Sequence, residues 1–89
     1  MLFLLTNRTR PHLSAAQYNE LAALAKVFYA SIPTEVKILG EWAATDRSHN
    51  VTLLEAPDMD TVLRIQAPFD RFTETSIVPV TATSGWSAG

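Results

Sequence analysis

Two imidazoles set among opposite charges are the groups of this sequence with chemistry available near neutral pH. An imidazole ordinarily changes charge there, so His12 and His49 suit general acid or base work. Around them in sequence stand Arg8, Arg10, Asp46, Arg47, Asp70, Arg71 and Glu74. Asp46-x-x-His49 puts a carboxylate where it can orient an imidazole, as a third group holds a catalytic base. The same spacing suits an Asx turn, and a His at a hairpin or ahead of a helix also serves as a surface or capping residue. Asp70-Arg71 sets a carboxylate beside a guanidinium, able to bind a substrate acid or enolate, or to steady a turn as a solvated pair. Trp42 and Tyr18 suit an aromatic wall whose phenol donates to an oxyanion, although aromatics at strand and helix spacing also build cores. Glu55 ends an apolar stretch; buried, it is a base, and otherwise it caps a helix or meets Lys37.

Other chemistries find no support. Cysteine is absent, which removes a disulfide framework and a thiolate nucleophile. Only three glycines occur, none in a phosphate loop, and no serine sits in a nucleophile elbow. Two His with Asp46 or Asp70 fall short of a metal set with a recognised spacing. A haem would need an axial His on the second helix, where residues 59–67 have none. No cofactor and no metal are therefore expected. The net charge of −2 gives no basic footprint for nucleic acid. No stretch approaches the roughly 20 apolar residues that span a bilayer, so no membrane partner is expected. Residues 1–5 lack the length and basic flank of a signal peptide. A cytoplasmic protein follows, in which Asn-x-Thr at Asn7 and Asn50 is coincidental.

The elements that must position these groups come from periodicity. Residues 2–7 form an apolar run closed by Arg8 to Pro11, fitting a central strand buried on both faces. Ser14 and Gln17 match a capping box. The helix behind it carries Tyr18, Leu21, Ala22, Ala25, Phe28 and Tyr29 on one apolar stripe, with Gln17, Asn19, Glu20 and Lys26 toward solvent, and Pro33 marks its exit. Residues 34–43 alternate Val36, Ile38, Gly40 and Trp42 against Lys37, Leu39 and Glu41, the period of a strand. Residues 46–50 turn it, and residues 50–56 complete a hairpin. Asp58 caps a short helix with Met59, Val62, Leu63, Gln66 and Ala67 inward, ended by Pro68. Residues 77–83 are the last strand; Pro79, lacking an N–H, places it at an edge or a bulge.

Two helices crossing between strands of one sheet give an α+β, ferredoxin-like β-α-β-β-α-β fold with a four-stranded antiparallel sheet and the third strand between the first and second. Chain direction then gathers three connections at one end: residues 8–13, 44–49 and 68–74. The other end, near residues 31–35 and 56–60, offers acids and hydroxyls. With 89 residues, 47% hydrophobic and 18% charged, the chain reads as one domain over residues 1–84 and a short C-terminal tail at 85–89. A chain this short buries only about 60% of its unfolded surface, so its core is thin and association helps it.

The pattern of an apolar opening strand, Gly40-x-Trp42, Glu55 before Pro57-Asp58, Phe69-Asp70 and closing Ile77-Val78-Pro79-Val80 resembles the dimeric α+β barrel superfamily, and within it short bacterial members of unknown function. The sequence departs from that pattern at Phe69, where Trp is expected, and in an alanine-rich first helix. The resemblance implies a homodimer with two four-stranded sheets face to face and the helices outside. It fits the need of a sheet that is apolar on both faces for a second cover. Members include cofactor-free monooxygenases acting on aromatic polyketides, muconolactone isomerases, polyketide cyclases and haem-degrading enzymes, all using a pocket between sheet and helices.

The resulting expectation is a homodimer that binds a small apolar or aromatic, polyketide-like compound as a cofactor-independent isomerase, cyclase or monooxygenase. His49, His12 and Tyr18 are its catalytic candidates, and Trp42, Asp70 and Arg71 its substrate-binding ones. The alternative is a non-catalytic ligand-binding or self-associating structural module.

Overall fold

A computed structural model describes residues 1–83. Strand β1 (Leu2–Thr9) leads to helix α1 (Ala15–Ala30), the hairpin β2 (Lys37–Ala43) and β3 (Asn50–Glu55), helix α2 (Met59–Gln66), a 3-10 turn (Ala67–Phe69) and strand β4 (Thr73–Val80). The four strands form one sheet in the order β2-β3-β1-β4, and every neighbouring pair is antiparallel. This is the expected ferredoxin-like arrangement, with the third strand between first and second. The expected tail at 85–89 and its boundary at residue 84 lie outside the described residues. Among those residues, no helix is long and apolar enough to cross a membrane.

Local signals set the helix ends. Ser14 Oγ accepts from Gln17 N at 3.1 Å while Ser14 N donates to Gln17 Oε1 at 2.8 Å, which satisfies two end groups that α1 cannot pair internally. Asp58 Oδ1 accepts from Thr61 N at 2.8 Å and from Thr61 Oγ1 at 2.7 Å. Those bonds favour the ionised carboxylate and lower the Asp58 pKa. Pro68 closes α2 as expected, but Leu63 and Ala67 point outward, and Val62, Thr61 and Gln66 are the buried residues of that helix.

The core lies where α2 meets the sheet. Phe3, Leu5, Val36, Leu54, Ala56 and Val62 are buried together, with Ile32, Met59, Ile65 and Ile77 packed against them. Helix α1 has no fully buried residue. Its Leu21, Leu24, Ala25 and Phe28 are only half-buried, while Tyr18, Ala22 and Tyr29 are exposed. Phe28 holds it in place, its ring edge-on to Phe69 at 5.7 Å between centroids, a favoured aromatic geometry.

Two strands differ from expectation. Strand β4 begins at Thr73 rather than residue 77 and ends at Val80 rather than residue 83, pairing Thr73 with Thr9 and Glu74 with Arg8. Full-length pairing satisfies backbone groups along the whole of β1, which outweighs the polar look of Thr73 to Ser76. The second difference is in β2, where Ile38 pairs with Leu54 and Gly40 with Leu53, leaving Leu39 as an extra residue. Such a bulge reverses the alternation beyond it. Opposed residues share a face, so Ile38, Glu41 and Ala43 face the helices with Leu54, Thr52 and Asn50. Gly40 and Trp42 join Leu53 and Val51 on the opposite face. The expectation that Val36, Ile38, Gly40 and Trp42 share one face is thereby corrected.

That opposite face carries Leu2, Leu4, Leu53, Val51, Val78 and Val80 across three adjacent strands, and the core residues and both helices lie on the other side. Trp42 is 59% exposed there. Its indole crosses Gly40 so closely that a Cβ at that glycine would lie 2.5 Å from Trp42 Cη2.

Candidate functional site

Because α1 stands off the sheet while α2 packs tightly, a cavity of about 420 Å³ opens between α1 and the strands, a volume in the range of small-molecule sites. Leu21, Ala25 and Phe28 of α1 face Leu5, Ile38 and Leu54 of the sheet across it, and Ile65 and Phe69 contribute from the α2 side. Asn7, Thr9, Asn50, Thr52, Gln66 and Thr73 supply the uncharged polar part of the lining.

A chain of hydrogen bonds fixes one side of this polar lining. Gln66 Nε2 donates to Thr75 Oγ1 at 2.7 Å, and Thr75 Oγ1 donates to Asn7 Oδ1 at 2.6 Å. Thr73 Oγ1 lies 3.2 Å from Thr75 Oγ1 and donates to the Phe69 carbonyl at 3.2 Å. Buried Gln66 on α2 is thereby tied to β4 and β1, and the amide groups of Asn7 and Gln66 are held in place at the cavity wall. Such a network orients polar groups by hydrogen bonding rather than by charge.

The charged part is a pair. Tyr29 Oη donates to both carboxylate oxygens of Glu41, at 2.8 and 2.7 Å, and both residues line the cavity. Loss of hydration, then the hydrogen bond to Glu41 and its negative charge, push the Tyr29 phenol up to about 12. The proton stays on the phenol across ordinary pH, so Tyr29 is a donor there and Glu41 the acceptor.

The expected site residues fall mainly elsewhere. Trp42 is the one of them that borders the cavity, at the edge strand, with its indole over Gly40. Neither imidazole is on the wall. His49 sits in the β2–β3 turn with Nδ1 2.9 Å from Ser48 Oγ. Asp46 Oδ1 accepts from Ser48 N at 3.0 Å, an Asx turn; hydrogen bonding from Ser48, through its side chain first and its backbone N–H second, lowers the Asp46 pKa, and no hydrogen bond joins the Asp46 carboxylate to the imidazole among the described residues. His12 is exposed with φ of 66°, a left-handed conformation that His tolerates better than most residues. Tyr18 is 51% exposed at the first turn of α1, outside the cavity. Arg71 turns to Glu20 on α1, 3.6 Å away, and stacks on Phe72 at 4.7 Å. Asp70 contributes its backbone carbonyl to Arg10 Nε at 2.9 Å. The connections before α1 and before β4 therefore do meet, through Arg10, but they join outside the cavity.

Glu41, Tyr29, Asn7 and Gln66 are the wall residues that sequence reasoning passed over. Two signals pointed to them. Tyr29 lies on the same stripe as Tyr18, and an isolated glycine within a strand, here Gly40, marks a bulge or a close approach. Among the described residues, no group of three or more His, Cys, Asp or Glu is placed to hold a metal ion.

No curated protein matches the chain. Residues 1–88 match the family described as Domain of unknown function (DUF3303), and the chain belongs to that family.

Proposed function

We propose that the protein binds a small, mainly apolar organic molecule in the cavity between α1 and the sheet, as a homodimer of the dimeric α+β barrel type in the cytoplasm. The observation that carries the reading is the cavity itself: apolar walls from both layers, with a few fixed polar groups, as small-molecule sites have. The uncovered apolar sheet face of Leu2, Leu4, Val51, Leu53 and Val78 supports the dimer. A two-fold partner presenting the same face would remove it from water.

Binding is better supported than turnover. A cofactor-independent isomerase, cyclase or monooxygenase needs a proton acceptor at the ligand, and the ionisable side chains on this wall are Glu41 and Tyr29. Any such chemistry would run on that pair rather than on His49 or His12. A non-catalytic ligand-binding module uses the same cavity without it.

Titration with indole, followed by amide NMR, tests the reading. Shifts at Leu21, Phe28 and Asn7 that saturate, and that vanish in a folded Ala25→Phe variant filling the cavity, are the expected result. Shifts confined to the opposite sheet face, or none, would overturn it.

A further inference from the structure

The lining of the cavity is asymmetric in charge. Among the described residues it holds one carboxylate, Glu41, and no arginine, lysine or histidine. Three other glutamates each have a guanidinium: Glu74 with Arg10, Glu35 with Arg64 and Glu20 with Arg71. Glu41 has the Tyr29 phenol instead. One O–H shared between two oxygens leaves most of the acceptor capacity of a carboxylate unused, and a phenol does not neutralise its charge. The same cavity is lined by the aromatic residues Tyr29, Phe28, Phe69 and Trp42, of which Phe28 stands edge-on to Tyr29 and to Phe69.

We infer that the natural ligand of this cavity is an organic cation: a protonated amine on an aromatic or apolar body, its nitrogen at Glu41 and its body against Phe28, Leu21 and Leu54. The inference rests on the small-molecule reading above and adds the charge of the ligand to it. An ammonium group gains both the carboxylate and the electron-rich faces of the neighbouring rings. A carboxylate or phosphate ligand would meet Glu41 with no cation on the wall to offset the repulsion or the loss of water. The acid-binding role expected for Asp70-Arg71 is absent from this wall, because Arg71 is held by Glu20 on the outside.

Three probes that share a phenyl body and differ in head group test the charge: 2-phenylethylamine, 2-phenylethanol and phenylacetate, each titrated into the wild-type chain by amide NMR at neutral pH. An interaction of about 1 kcal/mol, the size of a water-screened contact at 4 Å, corresponds to about fivefold in affinity. The amine is expected to bind at least about fivefold more tightly than the alcohol, with phenylacetate weakest. Glu41→Gln, which keeps an acceptor for Tyr29, should bring amine and alcohol together, while Tyr29→Phe should leave the amine preference in place. The wild-type comparison stands even if a variant does not fold. Equal or tighter binding of the alcohol, or of phenylacetate, in the cavity would overturn the cationic assignment and leave the small-molecule reading intact. Failure of all three probes together with indole would overturn both.

Discussion

Tyr29 and Glu41 join the two layers of the protein at the cavity mouth: the phenol of α1 donates to both oxygens of a carboxylate on edge strand β2, at 2.8 and 2.7 Å. Helix α1 contributes no buried side chain, so this contact, with the edge-on Phe28–Phe69 pair, tethers the helix over the cavity.

The pair should be visible in alkaline solution. The Tyr29 pKa is raised from 10.0 to about 12, so the folded state favours the neutral phenol. Its contribution to stability is complete below pH 10 and is lost as pH rises to about 12. In a Tyr18→Phe background, ultraviolet titration should show the remaining phenol ionising late. Tyr29→Phe should flatten the fall in stability across the same window; an unchanged slope would contradict the pairing.

Core and cavity wall should respond differently to truncation. Phe3 is fully buried in the cluster against α2, so Phe3→Ala should cost about 3–5 kcal/mol. Phe28 is half-buried at the cavity, and Phe28→Ala should cost less than about half as much, since it enlarges an existing space. Urea unfolding of the two variants compares them directly, and equal losses would mean that α1 packs as tightly as α2.

Charge on the uncovered sheet face should affect assembly and leave the core untouched. Leu53 lies on that face, opposite Gly40 and Leu4. Leu53→Lys should convert a dimer to a monomer in sedimentation at micromolar concentration, with circular dichroism unchanged. A wild-type chain that sediments as a monomer would remove the dimer from the proposed function.

Helix α2 should be acid-sensitive at its first turn. Asp58 has a pKa below its ordinary 3.8 because its carboxylate accepts from Thr61. Its contribution is present above that ordinary value and is lost as pH falls through the lower, folded one. Asp58→Asn should retain part of the cap and lose this acid dependence, as read from melting temperatures at pH 3 and pH 6, chosen to lie roughly on either side of an ordinary aspartate. An unchanged dependence would place the acid sensitivity elsewhere.

Much of the architecture was legible because its signals are local. The Ser14–Gln17 box and the Asp58 cap satisfy backbone groups within a few residues, Pro68 stops α2 because it lacks an N–H, and Pro79 correctly marked an edge strand. The start of β4 was not legible, since Thr73 to Ser76 looks polar and extends only because β1 needs a partner. The site was less legible still. His49 and His12 attracted attention through their chemistry, but a turn position says nothing about which way a ring faces. Strict alternation sets Glu41 on the face opposite Ile38, and the extra residue at Leu39 brings it round to the same face.

The extra residue at Leu39 therefore acts on β2 as a frameshift acts on a reading frame. Were Leu39 instead paired regularly with Leu53, strict alternation would carry Trp42 in beneath α1 and Glu41 out onto the bare sheet face. Deleting Leu39 does not do this: Gly40 still meets Leu53, Glu41 Thr52 and Trp42 Val51, each on its present face. One inserted residue is thus what keeps a carboxylate rather than an indole at the cavity and the charge off the apolar surface. The strand should therefore tolerate the loss of Leu39 better than the gain of a further residue beyond it.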